Sequence, residues 1–169
     1  MITVSIDNRS VIEALEDLRG KVGNMKPALR DIGEYLTETT KRRFDTGTAP
    51  DGSNWPANTQ TTILNYLGAY KGSHKKAGKI SKAGTARSAA KKPLIGETRS
   101  LMSTIDYRLR GNDALEIGSP MIYSAMQQFG GSKSTFPKLW GDIPARPFLG
   151  VSGEDERSIL DIVAEYMEF

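Results

Sequence analysis

Twenty carboxylates and one imidazole make up the chain's acid–base inventory, and no thiol accompanies them. Acid–base catalysis without a second histidine needs paired carboxylates, one of them kept protonated near neutral pH by its surroundings. The acids here fall instead on the polar faces of helical patterns: Glu13, Glu16, Asp17, Glu34, Glu38, Glu154, Asp155, Glu156, Asp161 and Glu165. On such faces charged groups stay in water. His74 has no second histidine and no cysteine with which to share a metal. Zero cysteines also remove disulfides, thiolate zinc sites, iron–sulfur clusters and cysteine nucleophiles. No phosphate-cradling G-x-x-x-x-G-K-[ST], no G-x-G-x-x-G, no H-E-x-x-H and no calcium loop occurs. Asp45-x-Gly47 and Asp51-Gly52 read as turns, which want an acid and a glycine for backbone reasons alone. These residues predict no enzyme, no cofactor and no catalytic site.

The other chemistry available is attraction to a polyanion. Residues 71–92 hold Lys71, Lys75, Lys76, Lys79, Lys82, Arg87, Lys91 and Lys92 without an acid, a charge of +8. The whole chain is +3, so the remainder is +3 − 8 = −5. The basic character belongs to one segment, and a high isoelectric point alone does not make the chain a nucleic-acid binder. The segment could neutralise phosphates of DNA or meet an acidic protein surface. It has no interleaved aromatic for bases to stack on, so a solvated lysine loop is the competing reading.

Two further segments carry large side chains between turn residues. In Pro50-Asp51-Gly52-Ser53-Asn54-Trp55 a turn either presents Trp55 or folds it back as a core plug. In Ile143-Pro144-Ala145-Arg146-Pro147-Phe148-Leu149-Gly150 the prolines pre-set an extended chain. Either Phe148 and Leu149 are buried beneath an edge strand, or that edge is offered to a neighbouring subunit.

The elements that position these residues follow from periodicity. Ile2, Val4 and Ile6 alternate as a half-buried strand does. Val11, Leu15, Leu18 and Val22 form one helical face, with Ser10 and Glu13 spaced as a capping box and Gly20 and Gly23 closing the helix. From Pro27, the residues Leu29, Ile32, Leu36, Thr40 and Phe44 keep helical spacing, and Lys41, Arg42 and Arg43 complement the dipole in the last turn. Short helices are predicted at Thr61–Tyr66, Thr98–Thr104 and Tyr123–Phe129. Ile105, Tyr107 and Leu109 alternate, Gly111-Asn112-Asp113 turns, and Ala114–Ile117 returns, which is a β-hairpin. Ser152 caps a final helix whose apolar face is Ile159, Ile162, Val163 and Tyr166. Residues 68–92 are rich in Lys, Gly and Ser and poor in large apolar residues, which predicts a flexible loop or arm with His74 exposed within it. The fold class is α+β: two N-terminal helices, a small antiparallel sheet with a hairpin, a C-terminal helix and a long mobile basic loop. The 169 residues fit one domain, 1–169, with 68–92 inserted in it. The absence of a basic leader and of a long apolar run predicts a soluble protein made in a reducing cytoplasm, with no membrane partner.

The order of these landmarks resembles the phage virion morphogenesis family, also called tail completion proteins. The matching residues are a helix ending at Phe44, the loop Pro50-Asp51-Gly52-Ser53-Asn54-Trp55, the threonine-rich Thr59–Thr62, and Glu97-Thr98-Arg99-Ser100-Leu101. They continue with Ile117-Gly118-Ser119, then Tyr123 through Gln128-Phe129-Gly130-Gly131, and finally Ile143–Gly150 before the last helix. The resemblance covers the chain from about residue 10. Arg99 stands where a glycine is usual and Gln127 near the usual histidine, so a catalytic histidine is not carried over. Residues 68–92 look like a length-variable insertion, and no role for them is inherited.

The resemblance implies a structural subunit of the virion, at the neck or tail, that finishes the tail or joins it to the head. It implies a ring-forming homo-oligomer in contact with other phage neck or tail proteins, close to packaged DNA, without enzymatic activity. Trp55, Tyr123, Arg146, Pro147 and Phe148 are the expected fold or interface residues, since aromatic and arginine side chains concentrate at interface hot spots. The alternative is a nucleic-acid-binding accessory protein that uses the 71–92 arm.

Overall fold

In the computed structural model, described for residues 8–21, 23–75, 78–139 and 141–167, the fold is α+β. The elements run α1 (Arg9–Lys21), α2 (Lys26–Thr46), α3 (Gln60–Ala69), α4 (Lys82–Ala90), α5 (Ser100–Ser103), β1 (Asp106–Arg110), β2 (Ala114–Gly118), α6 (Ser124–Phe129) and α7 (Gly153–Met167). The alternating Ile2–Ile6 segment lies outside the described residues.

The longest apolar register in the sequence builds the longest helix. Leu29, Ile32, Leu36, Thr40 and Phe44 are all buried along α2, and Pro27 sits in its first turn. At 1.5 Å per residue this helix runs about 30 Å, long enough to serve two cores. The first core joins Leu18 of α1, Met25, Ala28, Leu29, Ile32 and Leu36 to Ile159 and Val163 of α7. The second gathers Phe44, Ala49, Trp55, Leu101, Ile105, Phe148 and Leu149 around the C-terminal end of α2. Burial of each large apolar side chain contributes about 1.5–3 kcal/mol.

The hairpin pairs Asp106 with Gly118 and Arg110 with Ala114, antiparallel, and lies against α2. Tyr107 and Leu109 are half-buried while Asp106, Arg108 and Arg110 are exposed, the period-2 alternation of one covered face. The approach is close: a Cβ on Gly33 of α2 would stand 2.5 Å from Cδ2 of Tyr107. Only glycine admits that ring.

Two local expectations are corrected. Ser10 does not cap α1. The helix begins at Arg9, and the Asn8 side-chain oxygen accepts from Ser10 Oγ at 2.8 Å and from the Val11 amide at 3.5 Å. Asn is as good an N-cap as Ser, and Ser10 is freed to bond Glu156 of α7. Nor are residues 68–92 a structureless arm. Ser81 Oγ accepts from the Gly84 amide at 3.0 Å and starts α4, which packs beside α3. His74 remains exposed, but its backbone pairs with Ile80 in a single antiparallel bridge. The helix was hidden because its contact is made without large side chains. A Cβ on Gly84 would meet the Ser73 carbonyl oxygen at 2.2 Å, so backbone packs on backbone, and Ser73 is fully buried.

Candidate functional site

Four of the five expected fold or interface residues, Trp55, Arg146, Pro147 and Phe148, meet at the segment 143–150. Its two prolines hold it extended, but it is not a strand edge. One bridge, between Gly131 and Ile143, is its sole sheet-like pairing among the described residues. From Arg146 onward most of its backbone groups are taken up by the protein itself. The Arg146 amide donates to Gln127 O at 2.8 Å. Gln128 of α6 accepts the Phe148 and Leu149 amides on Oε1, at 2.9 and 3.0 Å, and donates from Nε2 to Leu149 O at 3.0 Å. Trp55 Nε1 donates to Pro147 O at 2.7 Å. Arg43 Nη1 donates to Phe148 O and Gly150 O, both at 2.9 Å. With most backbone groups of its second half so engaged, the segment offers a neighbouring strand little free edge there, contrary to one of the two readings of the sequence.

Trp55 and Phe148 are core plugs rather than presented aromatics. Phe44 packs edge-on against Trp55 with ring centroids 5.4 Å apart and lies 5.4 Å from Phe148. Pro147 is half-buried. Arg146 is also inside, 6% exposed, and it ties the 50–57 loop to this strap: Nε donates to Pro56 O at 2.8 Å and Nη2 to Ala57 O at 2.9 Å. Tyr123 is the exception, exposed at the mouth of a cleft of about 330 Å3 whose lining also includes Thr59, Thr62, Lys91, Leu94 and Arg146.

Three residues of this region were not among the expected site residues: Gln128, offered by the sequence as part of the Gln-x-Gly-Gly string, Arg43 and Asp155. Arg43 and Asp155 form a buried ion pair that joins α2 to α7, where Asp155 was expected on a solvated face and Arg43 as a complement to the helix dipole. Asp155 Oδ2 also accepts the Ser152 amide and hydroxyl, each at 2.8 Å, so one carboxylate serves both pair and helix cap. Burial pushes the Arg43 guanidinium pKa down and the Asp155 charge opposes that shift. A signal for Arg43 existed. It lies three residues from Thr40 and next to Phe44, on the edge of the buried face of α2.

The basic residues of 71–92 divide into two sets. Arg87 lies 5.6 Å over the Tyr70 ring and bonds Ser73 Oγ and Lys71 O. Lys91 sits 5.2 Å over Tyr66 and bonds Ile95 O, and burial lowers its pKa. Lys92 donates to Asp45 O at 2.7 Å. Lys71, Lys75, Lys79 and Lys82 are exposed; Lys76 lies outside the described residues. Tyr70 in turn donates to Glu97 at 2.5 Å, which raises its pKa to about 12.

The protein also leaves large apolar side chains open to solvent. Ile122 is 96% exposed, Tyr123 42%, Phe129 60% and Phe136 46%. The first two directly precede α6 and the third ends it. Phe136 is close by, within 3.2 Å of where a Gly131 Cβ would stand. Among the described residues no group of three or more acids or histidines could hold a metal ion, and no helix is long and apolar enough to cross a membrane.

The model of the phage virion morphogenesis family matches residues 6–168. The chain belongs to that family. It is 28% identical to the Mu-like prophage FluMu G protein 2 of Haemophilus influenzae, over 99% of this chain and 97% of that protein. It is 29% identical to the putative capsid assembly protein G of Escherichia phage Mu, over 96% of this chain and 91% of that protein. No solved structure matches it. Family membership assigns the chain to phage virion assembly. Arg99, expected from the resemblance to stand at a glycine position, adopts a left-handed conformation, φ 49° and ψ 25°, of the kind a glycine takes without strain.

Proposed function

We propose that this phage assembly protein is a tail completion or neck subunit acting where the head meets the tail or at the end of the tail. It works by associating with copies of itself in a ring and with other neck or tail proteins, and it transforms no molecule. The observation that carries this reading is the apolar rim around α6. Four large apolar side chains, Ile122, Tyr123, Phe129 and Phe136, are exposed within 15 residues, while Gln128 of the same helix is fully engaged inside. Water-exposed apolar groups concentrated in one place mark a contact surface, and exposed aromatics are enriched at such surfaces. A ring requires heterologous contacts, so the rim meets a different surface of the next copy. The name of the phage Mu relative, a putative capsid assembly protein, supports a station near the head.

The test is the double variant Ile122→Asp/Phe129→Asp. Light scattering over a concentration series should show the unmodified chain growing to a discrete oligomer and the variant staying monomeric, with unchanged circular dichroism. Phage carrying the variant should accumulate separate heads and tails under the electron microscope. Joined, infective particles made with the variant defeat the reading.

A second reading rests on the four exposed lysines at 71–82, which face solvent without an acidic neighbour in sequence. They suit phosphate contacts of passing DNA. A gel shift that weakens steeply with salt and vanishes on Lys→Gln replacement at Lys71, Lys75, Lys79 and Lys82 supports it; salt-insensitive or absent binding refutes it.

A further inference from the structure

Among the described residues two arginines are buried, and they differ in how their charge is met. Arg43 spends its guanidinium on two carbonyls and the Asp155 carboxylate. Arg146 spends Nε and Nη2 on the carbonyls of Pro56 and Ala57, and Nη1 has no partner among the described residues. No described acidic side chain lies within ion-pair distance of it. Burial lowers its pKa with no charge opposing the shift. A buried cation is normally paired, because removal from water is expensive. Carbonyl dipoles alone meet Arg146, and its Nη1 keeps contact with solvent instead of being sealed without a partner.

The cation also lines the 330 Å3 cleft, so a partner from outside can reach its surroundings. The hydroxyls of Thr59 and Thr62 stand at the N-terminal end of α3, whose dipole favours negative charge. Leu94 and Ile95 supply apolar walls, and Lys91 adds a second cation. Asp142 is the one acid in the lining, and its Oδ1 accepts the Lys133 amide at 2.7 Å. The wall segment is also strained. Leu94, φ 58°, and Arg99, φ 49°, are the two non-glycine residues with positive φ among the described residues. Backbone held in that region is strained and clusters at binding sites.

We propose that this cleft is a receptor for a carboxylate side chain, an aspartate or glutamate presented by a partner protein, with Arg146 as its counter-ion. The apolar walls fit the stem of such a side chain, and the hydroxyls and guanidinium fit its head. A planar carboxylate matches the remaining guanidinium donors. This assignment stands whether or not the chain forms a ring.

The experiment titrates the full-length, 15N-labelled protein with glutamate blocked at both ends as N-acetyl and N-methylamide, and with the matching glutamine compound. NMR follows the Arg146 side-chain Nε–H and the amides of Thr59, Thr62 and Tyr123. The glutamate compound should shift these signals saturably in the millimolar range, and the glutamine compound should bind about tenfold more weakly, the difference between a charged and a neutral acceptor. Arg146→Ala also releases the Pro56 and Ala57 carbonyls and can unfold the loop, so the decisive variant is Asp142→Asn. It keeps an acceptor for the Lys133 amide and removes the repelling charge, and it should tighten glutamate binding about threefold. Equal binding of both compounds, shifts that map away from the cleft, or tighter binding of inorganic phosphate at the same signals would each overturn the assignment.

Discussion

Replacing Asp155 by alanine should be among the most damaging single changes in this protein. The carboxylate is buried, pairs with buried Arg43, and caps α7 through Ser152. Breaking a buried pair strands the remaining charge at a cost of about 3–5 kcal/mol. Loss of the cap contacts adds about 1 kcal/mol. The sum, about 4–6 kcal/mol, corresponds to a fall in Tm of roughly 8–24 °C at about 2–4 °C per kcal/mol for a chain of this size. Urea unfolding followed by circular dichroism at 222 nm reads the difference directly. Arg43→Met should also be costly, because it orphans the carbonyls of Phe148 and Gly150 as well as the Asp155 charge. Once one partner is gone, loss of the other removes a stranded charge. The double variant should therefore be less damaged than the two singles added together, with a coupling of about 2–3 kcal/mol. A loss below about 1 kcal/mol for Asp155→Ala, or additive single effects, would show that the pair does not join α2 to α7 in solution.

Three other outcomes are expected. Trp55→Phe keeps an aromatic against Phe44 but strips the Pro147 carbonyl of its donor, and should lower stability by about 1–3 kcal/mol in the same urea assay; an unchanged midpoint contradicts the bond. Arg99→Gly relieves the left-handed backbone at the start of α5. The relief, about 1–2 kcal/mol, exceeds the added unfolded-state entropy of about 0.4–1 kcal/mol, so calorimetry should show a small rise in Tm; a fall refutes the strain argument. The Tyr70 hydroxyl ionises late, its pKa raised from 10 to about 12 chiefly by its bond to Glu97. The neutral form is favoured in the fold, so this contribution is intact below pH 10 and lost as pH rises towards 12. Absorbance titration near 295 nm should lose its latest component in Tyr70→Phe and see it move earlier in Glu97→Gln.

Sequence spacing was enough to locate the elements whose logic is local. The register Leu29–Phe44 marks α2, the alternation at 105–109 with its Gly-Asn-Asp turn marks the hairpin, and Ser152 marks the start of α7. The candidate site was legible in part. Trp55, Arg146, Pro147 and Phe148 do come together, because a bulky aromatic and a proline-fixed strap both need a core to lie on. Their role was open between plug and contact surface, and that depends on which backbone groups remain free. Helix α4 escaped notice because its packing uses glycine and backbone in place of a visible apolar stripe.

By itself, then, the order of residues determined every described helix but α4, the hairpin, the α+β class and the virion-assembly family, since periodicity, turn chemistry and short strings of side chains are properties of neighbours along the chain. Tertiary structure alone decided the fate of charge and exposure. Arg43 meets Asp155 across 112 residues, Arg146 is enclosed with no described acid within ion-pair distance, and Ile122 is left in water. Desolvation and pairing depend on what the fold places within a few ångströms, and no spacing rule reaches across that distance.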